Sequence, residues 1–188
     1  MKKFLTVAII LLMLSAQVEA VPFTRTQFDK IFQDAEQVQA ESSLNLNAAD
    51  FKEKFNGLIK SIIAESMNPA DASAMEHLFR IENYKVIGKT LSTMFGDYRA
   101  LIVGLNAEDG NFKVLSLCYT TPEDPAESLF TIWLLTAFVK SISPETDFKT
   151  LMNDLTAENS SGSVVTGDVK FSVKTEGNLN TLTAIATK

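Results

Sequence analysis

The chain has 188 residues, 46% of them hydrophobic and 21% charged, and 17 basic side chains against 23 acidic ones give a formal charge of −6. Nucleic acid and anionic headgroups need clustered Lys and Arg, whereas Arg25, Arg80 and Arg99 lie far apart, so a nucleic-acid role is excluded. One cysteine, Cys118, permits no internal disulfide, so stability must come from packing.

Lys2 and Lys3 precede an almost wholly apolar run, Phe4 to Leu14, and Val18-Glu19-Ala20 places small residues where a signal peptidase reads them. This pattern predicts a secretory signal peptide over residues 1–20, cleaved after Ala20. The run of about eleven residues is well short of the roughly twenty that cross a bilayer as a helix, so no stable membrane insertion is expected after cleavage. Loss of Lys2, Lys3 and Glu19 would take the charge from −6 to −7. The remainder, residues 21–188, is long enough for one domain with a substantial core. An exported chain with an unpaired cysteine points to the bacterial periplasm, with secretion as the alternative.

Thr26 to Ala40 predicts an amphipathic helix, with Phe28, Ile31, Phe32, Ala35 and Val38 on one face. A second starts behind Asn47, carries Phe51, Phe55, Leu58, Ile59, Ile62 and Ile63 at three- and four-residue spacing, and ends at Asn68-Pro69. Asn68 as cap and Pro69 at the first helical position would allow a short helix there. From His77 the composition turns β-like: Leu78 to Ile81, Tyr84 to Ile87 and Thr90 to Phe95 read as strands, followed by a Gly96-Asp97 turn. The strongest hairpin joins Tyr98–Leu105 to Phe112–Tyr119 through a loop containing Asp109-Gly110. In its second arm Leu115, Leu117 and Tyr119 would face the core.

Asp124-Pro125-Ala126-Glu127 is a helix start, and the helix through Leu129 to Val139 is apolar nearly all round, as a buried central helix should be. Ser143-Pro144-Glu145 predicts a further helix to about Leu155. Two alternating strands close the chain, one through Val169, Phe171 and Val173 and one from Leu179 to Ala186, joined at Glu176-Gly177-Asn178. The order predicts an α+β fold: an antiparallel sheet of about six strands, a meander plus a C-terminal hairpin, with helices packed on one face.

Catalytic parts are scarce. A Ser-His-Asp triad or a cysteine nucleophile would have to use His77, and no G-x-S-x-G elbow occurs. Cys118 sits mid-strand, where a small thiol is ordinary packing material. One His and one Cys cannot build a zinc site, and Glu108-Asp109 and Glu123-Asp124 fit turns and caps better than a calcium loop, so no metal or cofactor is expected. Phe130, Trp133 and Phe138 project from different sides of the apolar helix. They would line an apolar pocket if the sheet closed on that helix incompletely, and would fill a core if it closed fully. The expectation is a non-enzymatic exported protein that binds a protein partner or an apolar small ligand. The alternatives are a hydrolase using His77 or a carboxylate pair, and an inhibitor or immunity-type partner of a periplasmic enzyme.

Overall fold

The computed structural model describes residues 23–95, 99–157 and 160–187. The expected signal peptide and the Gly96-Asp97 turn lie outside them. Among the described residues the order is α1 (Arg25–Gln37), α2 (Ala48–Ser66), α3 (Pro69–Phe79), β1 (Lys85–Ile87), β2 (Thr90–Phe95), β3 (Ala100–Asn106), β4 (Phe112–Thr120), α4 (Pro125–Ile142), α5 (Phe148–Thr156), β5 (Ser163–Thr166), β6 (Val169–Glu176) and β7 (Leu179–Ala186).

Local chemistry starts each helix. Thr24 and Gln27 form a reciprocal capping box on α1, Asn47 and Asn68 accept from the first turns of α2 and α3, and Asp124 caps α4 with Pro125 behind it. The Glu127 carboxylate reaches back to the amide of Glu123 at 2.9 Å. The last helix starts later than Ser143-Pro144-Glu145 suggested. Its cap is Asp147, which accepts from the Thr150 amide at 2.8 Å.

The seven strands form one antiparallel sheet in the order β1-β2-β3-β4-β7-β6-β5. The α+β class stands, with seven strands rather than about six. The added strand is β5, which meets β6 through Gly167-Asp168 with Gly167 at φ +60°, a left-handed conformation that suits glycine. Leu78 to Ile81 is no strand. The α3 helix runs on through Phe79, and the chain then passes Asn56, whose side chain accepts from the Ile81 amide (2.8 Å) and donates to the Ile81 carbonyl (3.0 Å). One asparagine thus supplies both bonds that a neighbouring strand would have given this buried residue.

Phe51, Phe55, Ile59 and Ile63 of α2 and six buried residues of α4 pack on the front of the sheet, on Phe95, Ile102, Leu115, Leu117, Phe171, Leu182 and Ala184, and α5 adds Leu151 and Leu155. Alternation sends Leu101, Val103 and Cys118 to the back, where α1 covers them with Ile31, Ala35, Phe28 and Phe32. The central strand β4 is therefore buried on both faces: Val114, Ser116 and Cys118 are as enclosed as Leu115 and Leu117.

Gly104 is opposite Leu115, beneath the ring of Phe112; a Cβ there would lie 2.6 Å from Cδ1 of that fully buried ring. Gly104→Ala should therefore cost about 1–3 kcal/mol in urea unfolding, because the overpacked ring has nowhere to go. Gly57→Ala, on the open side of α2, should add about 0.5–1 kcal/mol by removing chain entropy from the unfolded state. Asn56→Ala should cost about 1–3 kcal/mol for each Ile81 backbone group left unpaired, and an unchanged urea midpoint would contradict the bridging role.

Candidate functional site

Phe130, Trp133 and Phe138, the expected pocket residues of the apolar helix, pack against other aromatic rings. Phe130 and Trp133 pack on each other and on Phe79, with ring centroids 5.1–6.3 Å apart, and Phe138 lies edge-on to Phe51 at 6.1 Å. Trp133 and Phe138 are buried, Phe130 half-buried, and all three belong to the front core. His77 is exposed near the end of α3 and makes no hydrogen bond or ion pair among the described residues. Asp109 accepts from Ser43 Oγ (2.6 Å) and the Asn111 amide (2.9 Å), bonds that hold its carboxyl below the usual range while it shapes the β3–β4 turn. Among the described residues no three His, Cys, Asp or Glu side chains converge as metal ligands would.

The back of the sheet is where side chains of mixed character gather. The helix α1 runs antiparallel to β6, and its polar flank, spaced by three and four residues, meets that strand step by step. Gln27 donates to Asn178 Oδ1 (2.9 Å), Lys30 pairs with Glu176, and Asp34 pairs with Lys174 (3.3 Å), which also contacts Glu176 (2.8 Å). Beyond Asp34 these links stop. The space between Gln37 and Val38 on the helix and Ser172 and Lys170 on the strand opens as a cleft of about 400 Å³.

Sheet register builds the floor of this cleft. Ser172 is opposite Thr183, and Thr183 opposite Ser116, so three hydroxyls form a row across β6, β7 and β4. The Ser116 and Thr183 hydroxyls bond to each other at 3.0 Å, whereas the Ser172 hydroxyl has no hydrogen-bond partner among the described residues. The next row places Lys170 opposite Ile185, and the row on the other side places Lys174 opposite Thr181, whose hydroxyl donates to Cys118 Sγ at 3.6 Å. Ile31, Val38, Leu179 and Ile185 supply the apolar surface.

Two charged groups of the rim, Glu176 and Lys174, are held in their ionised forms. Hydrogen bonds from Lys174 and Lys30 hold the Glu176 carboxyl below the ordinary carboxylate range, and Glu176 and Asp34 raise the Lys174 ammonium above the ordinary lysine value. Burial pushes the Cys118 thiol up to about 12, with only a small opposing effect from Thr181. None of these three groups is poised to exchange a proton near neutral pH.

The residues of this site carried only half a signal in the sequence. Lys170, Ser172, Lys174 and Glu176 alternate with Val169, Phe171 and Val173 and read as a polar strand face, but nothing local shows that α1 lies beside that face.

At pH 8 about one Cys118 thiol in ten thousand is ionised in the folded chain, so a disulfide reagent should leave it untouched until urea is added. Burial also raises Tyr84 and Tyr119. Each of these groups keeps its proton in the folded chain after the unfolded chain has lost it. Stability should therefore be complete below about pH 8.5 and fall as pH rises toward 12, and Cys118→Ala should remove the earliest part of that fall in pH-dependent urea titrations.

No family model matches the chain, and no curated protein and no solved structure matches it either.

Proposed function

We propose that this chain is an exported bacterial protein of the periplasm that works by binding, and that the cleft between α1 and β6 is its ligand site. Export is supported by the basic, apolar and small-residue pattern of Met1 to Ala20. The observation that carries the binding role is the cleft itself: about 400 Å³, with apolar side chains on the helix side and at the ends, and hydroxyls and ammonium groups across the floor. Small-molecule sites have this size and this mixture, an apolar body with a few placed polar groups. The ligand is accordingly small and amphipathic, and its place is the back of the sheet, away from the Trp133 helix. The exposed, unbonded His77 lacks the partner that a triad or a general base requires, which favours binding over the hydrolase reading.

The neutral dye N-phenyl-1-naphthylamine should bind the purified chain saturably. Ser172→Trp, which fills the cleft from its floor, should weaken that binding at least tenfold while leaving the far-ultraviolet circular dichroism unchanged. Equal dye binding by both proteins would place the apolar site elsewhere and end this reading.

A further inference from the structure

We infer that the cleft selects an anionic ligand, a small carboxylate with an aliphatic body, and that Lys170 is the residue that selects it; this deepens the binding role proposed above and rests on it. The charges around the cleft pair off except at one residue. Lys30 and Lys174 are matched by Asp34 and Glu176, two cations against two anions in one continuous network. Lys170 stands four residues from Lys174 along the same face of β6, is half-buried, and its ammonium has no ion-pair or hydrogen-bond partner among the described residues. Its cross-strand neighbours, Val165 and Ile185, are both aliphatic, and Asp168 at the preceding turn is outside the cleft lining.

A cation partly withdrawn from water with no counter-ion is a standing electrostatic cost that an anionic ligand relieves. Beside it, roughly 6.5 Å along the strand, Ser172 offers a hydroxyl that is also without a partner. An ammonium and a hydroxyl on one strand face are a pair of donors suited to a carboxylate. The aliphatic remainder of the ligand then has Ile185 and, across the cleft on α1, Val38 and Ile31 to lie against. The overall charge of −6 does not oppose this, because salt screens distant charges within about 8–10 Å while the local ammonium acts at contact distance.

Octanoate and 1-octanol separate the charge from the chain, and both can be measured by displacement of the neutral dye and by calorimetry. The wild-type chain should bind octanoate about tenfold more tightly than octanol, as one charge-assisted contact allows. Lys170→Gln should bring octanoate down to the level of octanol, Lys170→Arg should keep the preference, and Lys149→Gln on α5 should leave it intact. Equal binding of the two probes by the wild-type chain, or a preference that survives in Lys170→Gln, would overturn the selection by Lys170 while leaving the binding role in place. If neither probe displaces the dye, or if Ser172→Trp changes nothing, the binding role falls and this inference with it.

Discussion

The double burial of β4 is the constraint on which the rest of this structure depends. This strand pairs with β3 on one side and with β7 on the other, joining the meander to strands that follow more than fifty residues later. Leu115 and Leu117 point to the front core, while Val114, Ser116 and Cys118 are enclosed on the back. Each of its side chains must therefore be apolar, or polar with its bond provided. Ser116 meets that condition through Thr183, and the Cys118 thiol through its neutral form and the hydroxyl of Thr181. A one-residue slip of this strand would exchange the two sets, placing a serine and a thiol against the phenylalanines of α2.

The two faces of the sheet do different work. The front invests aromatic volume in stability: Phe51, Phe55, Phe112 and Phe138 form one chain of ring contacts, and Phe79, Phe130 and Trp133 another. Among the described residues the back is covered by one helix of thirteen residues, too short to span the width of seven strands. Its apolar face rests on Leu101, Val103, Cys118 and Leu179, and its polar flank is tied to β6 by ion pairs. The cleft follows from that shortfall, since among the described residues no helix lies over the strands past Asp34, which keep their hydroxyls and Lys170.

Much of the architecture was legible because it rests on chemistry within a few residues. Asn47, Asn68 and Asp124 announce helices by what their side chains do for the next three amides, and Asp109-Gly110 announces the β3–β4 hairpin by the backbone geometry glycine tolerates. Gly167-Asp168 carried a similar signal for β5 but was obscured by the short, half-exposed strand it introduces. The apolar periodicity of α1, α2 and α4 likewise showed that each helix buries a face. It did not show against what.

That second question belongs to the folded chain. Leu78 to Ile81 has the composition of a strand and became a helix end and an extended link because Asn56, twenty-five residues away, took the place of a strand partner for Ile81. Phe130, Trp133 and Phe138 look like pocket residues in isolation and became core because α2 and α3 bring phenylalanines against them. Lys170 and Lys174 are indistinguishable by sequence, two lysines on one alternating strand, yet one is neutralised by Asp34 and the other left open. The difference depends on where α1 ends above the sheet. Caps, turns and alternation are short-range and can be read along the chain; which face meets which, and which charge finds a partner, are set by contacts between segments from twenty-five to more than a hundred residues apart.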